Sequence, residues 1–225
     1  MLKTFGGLMS DIVVYLGPTL ALSTARSCLS ATYLPPIKRG DLATLPHEIQ
    51  IVGIIDGEFH QSLAVSPKEI MALLDRGVRV YGASSVGALR AAEMHRYGMI
   101  GVGAIFEMYR DREIDADDEV AVAYDPLTGR TVSEPLVNIR SALRLAVAQA
   151  IIPSKEAGEI ISTMKGIYYP LRSYQLAGHM YPALARFLKA GRYDQKRDDA
   201  LLLLRTIARH ALHYSTRLRD PEKPQ

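Results

Sequence analysis

Cysteine is almost absent from this 225-residue chain, which holds only Cys28. A single cysteine cannot form an intrachain disulfide, and it cannot build a cysteine-based zinc site within one subunit. The six histidines show no HExxH spacing, so we expect no metal site. These absences fit a protein of a reducing compartment.

Long hydrophobic runs are also missing. No segment approaches the roughly 20 consecutive apolar residues that a membrane-spanning helix requires. The apolar residues near the start are interrupted by Asp11 and end at Gly17-Pro18, which is a poor pattern for a signal peptide. We therefore expect a cytoplasmic protein that does not bind a membrane.

A strong charge of either sign is lacking as well. The formal net charge is +3, and 23% of the residues are charged against 48% that are hydrophobic. This composition is ordinary for a globular protein, and the dispersed basic residues predict no nucleic-acid binding. No Walker loop or glycine-rich dinucleotide fingerprint occurs, so no cofactor is expected.

The first half of the chain alternates between strand-like and helix-like segments. Continuous apolar runs predict buried strands, and the segments between them predict helices. Strands are predicted at 12–16, 31–34, 49–55 and 78–81, and helices at 20–29 and 66–76. The second helix opens with a capping box, in which Ser66 precedes Pro67 and Glu69. This order predicts an α/β fold, with a small parallel Rossmann-like sheet and helices on both faces.

The second half is predicted to be mostly helical. Gly101 and Gly103 indicate a loop, and residues 120–124 are typical of a short strand or a strand edge. Helices are predicted at 104–110, 135–150, 154–165, 180–189 and 194–215. We expect an α/β core in residues 1–125 and a helical C-terminal region in residues 126–225 that packs on it.

The most informative stretch is VRVYGASSVGALRAAE, residues 78–93. A β-branched and aromatic run breaks at Gly82, passes two serines, and continues as an alanine-rich helix from about Ala88. Such a strand, turn and helix places a hydroxyl at the carboxyl edge of a sheet. The N–H groups of the helix N-terminus lie beside that hydroxyl and can stabilise an oxyanion. This stretch therefore predicts a hydroxyl nucleophile.

Two serines compete for that role. Ser85 is favoured by its two-residue spacing to Gly87, although Ala83 stands where the G-x-S-x-G pattern has its first glycine. Ser84 is as good a candidate on every other ground. A serine that only caps the following helix explains the same pattern.

Three predicted strand ends carry residues suited to a site. They are Gly17-Pro18-Thr19, Asp56-Gly57 and Ala83-Ser84-Ser85. Ligands of parallel sheets bind beyond the carboxyl ends of the strands. We therefore predict that these three strand ends converge.

A nucleophilic serine needs a base, and the sequence leaves three candidates open. Asp56 could act directly in a Ser-Asp dyad, of the type used by patatin-like hydrolases. His60 follows in the same loop, and Lys68 could act if its pKa were depressed. Each also has an ordinary structural interpretation: a turn residue, a loop side chain and a solvated helix residue.

Two further charged groups have mainly structural interpretations. Arg90 and Glu93 are spaced for an ion pair on one helix face, from which they could also hold a partner's carboxylate. The acidic turn at residues 115–119 lacks the calcium-loop pattern. We predict that it is solvated, although one of its carboxylates could reach the site.

Several motifs together resemble the TfuA-like core family, which is named for a protein of trifolitoxin biosynthesis. They are YLGPTL, YLPPIKRGDL, IVGIIDGEFHQ, SPKEIMALLDRGVRVYGASSVGALRAAEM, YGMIGVGAIFEMYRDREI and DADDEVAV. The resemblance covers about residues 11–125 and leaves out the C-terminal helical half. The long motif around the two serines is the most specific part.

The resemblance implies a companion of YcaO enzymes, which use ATP to activate a peptide amide so that sulfur can replace its oxygen. Similar proteins are thought to supply the sulfide by hydrolysing the C-terminal thiocarboxylate of a ubiquitin-like sulfur-carrier protein. They are also thought to help YcaO engage its precursor peptide or protein substrate. Ser85 would then form an acyl-enzyme, and Arg90 or Arg39 could orient the anionic substrate.

A non-catalytic adaptor that recruits the peptide or the sulfur donor to YcaO is the alternative. The sequence leaves open whether the chain forms a homo-oligomer. The catalytic candidates are Ser85, Asp56, His60 and Lys68, and the predicted binding residues are Gly17, Pro18, Thr19, Arg39, Asp41, Gly57, Ser84, Gly87, Arg90 and Glu93.

Overall fold

A five-stranded, all-parallel sheet forms the centre of the protein in a computed structural model. The structure describes residues 11–58, 63–125, 127–128, 130–179, 181–191 and 193–219, with side chains up to residue 212. The strands are β1 Ile12–Tyr15, β2 Thr32–Leu34, β3 Ile51–Ile54, β4 Arg79–Ala83 and β5 Ile100–Val102, in the spatial order β2-β1-β3-β4-β5. The predicted α/β class is therefore confirmed.

The helices of the described residues lie close to the predicted positions, except for a short helix at 174–177 that was not predicted. They are α1 Leu22–Cys28, α2 Pro67–Asp75, α3 Val86–Met94, α4 Ala104–Arg110, α5 Leu136–Ala148, α6 Ser154–Lys165, α7 Tyr174–Ala177, α8 Pro182–Ala190 and α9 Gln195–Arg219. The capping box of α2 forms as predicted: Ser66 Oγ accepts from the Glu69 N–H at 3.4 Å, and Glu69 Oε2 accepts from the Ser66 N–H at 2.9 Å. None of these helices has the length and apolar character needed to cross a membrane.

The sheet is covered on both faces, because successive strand residues point to opposite sides. On one face, α2, α3 and α4 pack on Val13, Val52 and Val80. On the other face, α1 and α9 pack on strand residues that include Val14 and Ile51. Helix α9 comes from the end of the chain, yet it covers the middle of the sheet.

Two predicted elements are corrected by the structure. Residues 100–102 form a fifth parallel strand rather than a loop, with Gly101 paired to Gly82 of β4. A side chain at Gly101 would lie 2.2 Å from the Phe106 ring, so this glycine allows α4 to pack closely on the strand. Residues 120–124 do not form a regular strand, and only Tyr124 makes an isolated bridge, to Thr131.

The acidic turn is solvated only in part, because Asp115 and Asp117 are exposed while its other two carboxylates have arginine partners. The side chain of Glu119 is fully buried and receives two hydrogen bonds from Arg140 of α5, at 2.7 and 2.8 Å. Arg172 is fully buried too, and it donates to the carboxylate of Asp118 at 2.5 Å and to its carbonyl at 2.8 Å. Buried carboxylates require such partners, so this turn joins the sheet to the C-terminal helices.

Helices α5 to α8 have a hydrophobic cluster of their own, which includes Leu143, Met164 and Leu184. Helix α9 then leaves this cluster and returns to the sheet. The division of the chain at residue 125 remains a prediction.

Candidate functional site

The two serines lie in a sharp turn between β4 and α3. Helix α3 begins at Val86, two residues earlier than predicted, so Gly87 lies inside its first turn. A Cβ atom on Gly87 would lie 1.8 Å from the Ile54 carbonyl oxygen, and one on Gly82 would lie 2.1 Å from the Gly87 carbonyl oxygen. The two glycines therefore let the helix N-terminus rest directly on the sheet backbone.

Ser84 carries the backbone strain of this turn. Its φ angle is +69°, a region that side-chain-bearing residues seldom adopt, and the N–H of Ser85 donates to the Ala83 carbonyl at 2.8 Å across it. The hydroxyl of Ser84 is buried and has no hydrogen-bond partner in the described part of the chain. Strain of this kind concentrates at functional sites.

Ser85 is the N-cap residue of α3, but its side chain makes no capping hydrogen bond. Ser85 is instead one of the residues that line a cavity of about 140 Å³. The N–H groups of Ser85 and Gly87 are occupied, by the carbonyls of Ala83 and Ile55. The N–H of Val86 donates to no acceptor among the described residues, which makes it the available oxyanion donor of this turn.

The three predicted strand ends meet at one edge of the sheet. One oxygen of the Asp56 carboxylate accepts from the Gly17 N–H at 2.8 Å and the Thr19 N–H at 3.2 Å. The other oxygen accepts from the Thr19 hydroxyl at 2.6 Å. Because both oxygens are engaged, the contacts of Asp56 are those of a group that holds the loop after β1 in place.

The cavity that contains Ser85 lies between this edge and the C-terminal half. Its lining residues are Pro18, Pro36, Asp56, Gly57, Glu58, Ser85, Val122, Tyr124, Tyr169 and Lys196. Gly57 is tightly packed, since a Cβ atom there would lie 2.8 Å from the Ile37 carbonyl oxygen. More than half of the lining residues lie outside the three predicted strand ends: Pro36, Glu58, Val122, Tyr124, Tyr169 and Lys196.

Lys196, near the start of α9, is the main residue that the sequence reasoning missed. It is buried and donates a hydrogen bond from Nζ to the Val120 carbonyl at 2.8 Å. Burial lowers the pKa of its ammonium, while the negative charges of Asp56, Asp194 and Glu134 act in the opposite direction. A signal was available in the sequence, because Lys196 precedes Ala200 by four residues and so lies on the helix face whose apolar residues recur with helical spacing: Ala200, Leu203, Leu204 and Ile207.

A second, smaller cavity of about 70 Å³ shares Pro18, Val122 and Lys196 with the first. Its remaining lining residues are Thr19, Thr131, Ser133, Glu134, Pro135, Asn138 and Asp194. Burial raises the pKa of the Glu134 carboxyl to about 7, with a further contribution from the charge of Asp194. Glu134 therefore changes its charge near neutral pH.

Other predicted residues lie away from these cavities. Lys68 is exposed and lines a separate groove with Met71 and Tyr97. Arg90 donates to the Val65 carbonyl at 2.9 Å and forms the predicted ion pair with Glu93. The Arg90 contacts fasten α3 to the segment before α2, so they explain this arginine without a ligand.

The turn that contains Arg39 and Asp41 is held by the start of α2. Asp41 accepts from the Lys38 N–H at 2.9 Å, and the Arg39 N–H donates to the Leu63 carbonyl at 2.6 Å. The Gly40 N–H donates to Glu69 at 2.6 Å. The side chains of Arg39 and Asp41 line neither of the two cavities. His60 lies outside the described residues.

In the described part of the chain, no cluster of three or more histidine, cysteine, aspartate or glutamate side chains could hold a metal ion. The fold and the cavity together describe an α/β protein with a candidate serine site at the carboxyl edge of its parallel sheet. A protein-family model, described as TfuA-like protein, matches residues 56–173, just over half of the chain. The chain therefore belongs to the TfuA-like family, and a search of curated proteins finds no match.

The family match ends further toward the C-terminus than the resemblance seen in the sequence, and it leaves out residues 11–55, which that resemblance includes. It begins at Asp56 and ends at Arg172-Ser173, so it includes the serine turn, the acidic turn and Arg140. It also crosses the predicted boundary at residue 125. Lys196 lies outside it.

Proposed function

We propose that this chain supplies sulfide to a YcaO enzyme by hydrolysing the C-terminal thiocarboxylate of a ubiquitin-like sulfur-carrier protein. The TfuA-like family is associated with YcaO systems that make peptide thioamides. The proposed partners are the YcaO enzyme, the carrier in its thiocarboxylate form, and the precursor peptide or protein substrate.

The observation that carries this proposal is the placement of the Ser85 hydroxyl. Ser85 lies at a strained turn, makes no capping bond with its side chain, and lines a cavity, and the N–H of the next residue, Val86, has no acceptor among the described residues. A nucleophile next to an oxyanion donor is the arrangement that acyl transfer requires. A cavity of about 140 Å³ also suits a narrow, unbranched chain end rather than a bulky side chain.

The proposed reaction has two steps. Ser85 Oγ attacks the carbonyl carbon of the thiocarboxylate, the carbon–sulfur bond breaks, and sulfur leaves as HS⁻, so the proton that the Ser85 hydroxyl loses balances the one that sulfur gains. Water then hydrolyses the ester on Ser85, which releases the carrier as a carboxylate and restores the hydroxyl. Asp56 positions the loop after β1 in this proposal, because its oxygens are already occupied.

The test is to incubate a thiocarboxylated carrier with wild type, Ser85→Ala, Ser84→Ala and Ser162→Ala, and to follow carrier mass and released sulfide. Ser162 is exposed on α6 and serves as a matched control. We expect wild type and Ser162→Ala to convert the carrier, and Ser85→Ala to lose at least about a hundredfold in rate.

The outcomes separate the parts of the proposal. An unchanged carrier after incubation with folded wild type would contradict the hydrolase and leave the adaptor as the alternative. Equal rates for wild type and Ser85→Ala would contradict only the choice of nucleophile. Loss of activity in Ser84→Ala alone would transfer that role to Ser84, whose hydroxyl lies in the strained turn.

A further inference from the structure

Lys196 is a buried cation whose hydrogen-bonding capacity is only partly used. An ammonium has three N–H donors, and the one hydrogen bond that Lys196 Nζ makes among the described residues is to the Val120 carbonyl at 2.8 Å. No carboxylate of the described residues lies within ion-pair distance of it. A buried charge is costly without a partner, so this arrangement suits a group that waits for an anionic ligand.

The carboxylates whose charges act on Lys196 do not form an ion pair with it. Asp56 is engaged by the loop after β1, as described above. Asp194 Oδ1 accepts from Asn138 Nδ2 at 3.2 Å and from the Arg197 N–H at 3.1 Å. Glu134 has a pKa raised to about 7 by burial, so at neutral pH a large part of it is uncharged.

The position of Lys196 relates it to Ser85. Lys196 lines both cavities, and Ser85 lines the larger of them. An anion in the larger cavity therefore lies among lining residues that include both Ser85 and Lys196. Burial lowers the pKa of Lys196, which makes its proton easier to release.

We propose that the Lys196 ammonium binds the thiocarboxylate anion in the larger cavity and donates the proton that leaves with the sulfur. This proposal rests on the proposed function. An ion pair with Lys196 reduces the negative charge that would otherwise repel the nucleophile. The helical half would thus contribute a catalytic group to a serine held by the sheet.

The protons of Ser85, Lys196 and the leaving sulfur balance over the whole reaction. As the Ser85 Oγ–carbon bond forms and the carbon–sulfur bond breaks, Lys196 gives a proton to sulfur, which leaves as HS⁻. Lys196 then takes up the proton lost by the Ser85 hydroxyl. Hydrolysis of the ester consumes one water, so one thiocarboxylate and one water yield one carboxylate, one HS⁻ and one proton.

Binding can be tested apart from chemistry with synthetic peptides that end in Gly-Gly as a carboxylate or as an amide. We expect wild type to bind the carboxylate peptide on the order of tenfold more tightly than the amide, since a charged hydrogen bond has about that effect. Lys196→Met should lose this preference. Lys155→Met, which alters an exposed lysine of α6, should keep it.

Turnover of a thiocarboxylated carrier tests proton donation. Lys196→Arg keeps the charge, but a guanidinium does not release its proton at neutral pH. We expect it to retain the carboxylate preference and to lose kcat by about tenfold or more, with a smaller change in KM. A kcat equal to that of wild type would overturn the proton-donor role.

Anion binding by Lys196 can be contradicted by the peptide experiment alone. If wild type binds the carboxylate and amide peptides equally, the inference is wrong, and this comparison needs no variant that might fail to fold. A preference that persists in folded Lys196→Met would also overturn it. If wild type shows the preference but releases no sulfide from the carrier, the proposed hydrolase fails while anion binding by Lys196 is supported.

Discussion

At the scale of single residues, the serine turn combines a strained backbone with an unpaired hydroxyl. Ser84 has a positive φ angle and a buried Oγ with no hydrogen-bond partner among the described residues, while Ser85 lines the cavity. The strained backbone and the buried hydroxyl of Ser84 both lower the stability of the folded protein, so the packing around the turn must hold them in place. The tight contact of α3 with the sheet provides that packing.

Removing the Ser84 hydroxyl should not weaken the fold. Because Oγ has no partner in the described residues, we expect Ser84→Ala to leave the free energy of unfolding unchanged or to raise it by up to about 1 kcal/mol. Urea denaturation against wild type and Ser162→Ala measures this. A decrease of more than about 1 kcal/mol would show that the hydroxyl makes a stabilising hydrogen bond.

Glu134 should make stability depend on pH. Its pKa is raised from 4.5 to about 7 in the folded protein, so between these values the folded state binds more protons than the unfolded state. The free energy of unfolding therefore falls as the pH rises through this range. Glu134→Gln cannot ionise, and we expect it to stabilise the protein above pH 7 by on the order of 2 kcal/mol.

Urea denaturation from pH 4.5 to 8 would measure this effect. The exposed Glu48 provides the control variant Glu48→Gln, which should follow wild type across the range. A constant difference between Glu134→Gln and wild type at every pH would contradict the raised pKa.

At the scale of elements, the contact between α3 and the sheet depends on glycine. We expect Gly87→Ala to destabilise the protein by more than about 3 kcal/mol, because its Cβ would lie 1.8 Å from the Ile54 carbonyl oxygen. Gly158→Ala is the control, since a Cβ there has open space and alanine favours a helix by about 1 kcal/mol. Thermal unfolding followed by circular dichroism compares them, and equal melting temperatures would contradict the close packing.

The acidic turn should behave as a buried ion-pair element. Removing one charge leaves the other uncompensated, so we expect Arg140→Met to cost about 3–5 kcal/mol in the free energy of unfolding. The double variant with Glu119→Gln should recover part of that loss. Lys165→Ala, which breaks an exposed pair with Asp115, should cost less than about 1 kcal/mol. If Arg140→Met and Lys165→Ala lowered the free energy of unfolding by similar amounts, burial of the Arg140–Glu119 pair would not explain its contribution.

At the scale of the whole molecule, α9 joins the two halves. Its side chains fill the core beside β1, β3 and β4, and Lys196 at its start lines the cavity beside Ser85. Asp199 caps α4 by accepting from the Ala104 and Ile105 N–H groups at 3.1 and 2.8 Å. The sheet and the C-terminal helices therefore share one interface.

This interface predicts a single cooperative unfolding transition. Leu203→Ala should lower the free energy of unfolding by about 2–5 kcal/mol and shift the whole transition, because Leu203 is fully buried on the sheet. Circular dichroism and tyrosine fluorescence should give the same midpoint in urea. Two separate transitions would contradict this expectation and would support independent units on either side of residue 125.

Local sequence signals predicted much of the fold. The apolar runs before Gly17 and Asp56 predicted the central strands, and the capping box at Ser66 predicted the start of α2. The fifth strand was missed because it has only three residues and contains Gly101, whose role depends on the Phe106 ring that packs over it. The acidic turn was assigned to solvent because its partners, Arg140 and Arg172, are distant along the chain.

The sequence by itself determined the α/β class, the turn that presents the serines, and the strand ends that meet there. These depend on periodicity, glycine positions and capping, which act between residues close together in the chain. Only the tertiary structure decided which charged groups join that edge. In the folded protein Asp56 accepts hydrogen bonds from the loop after β1, and Lys196 lines the same cavity as Ser85. Such contacts depend on how a distant helix packs on the sheet, and helical periodicity shows that Lys196 is buried but not which cavity it lines.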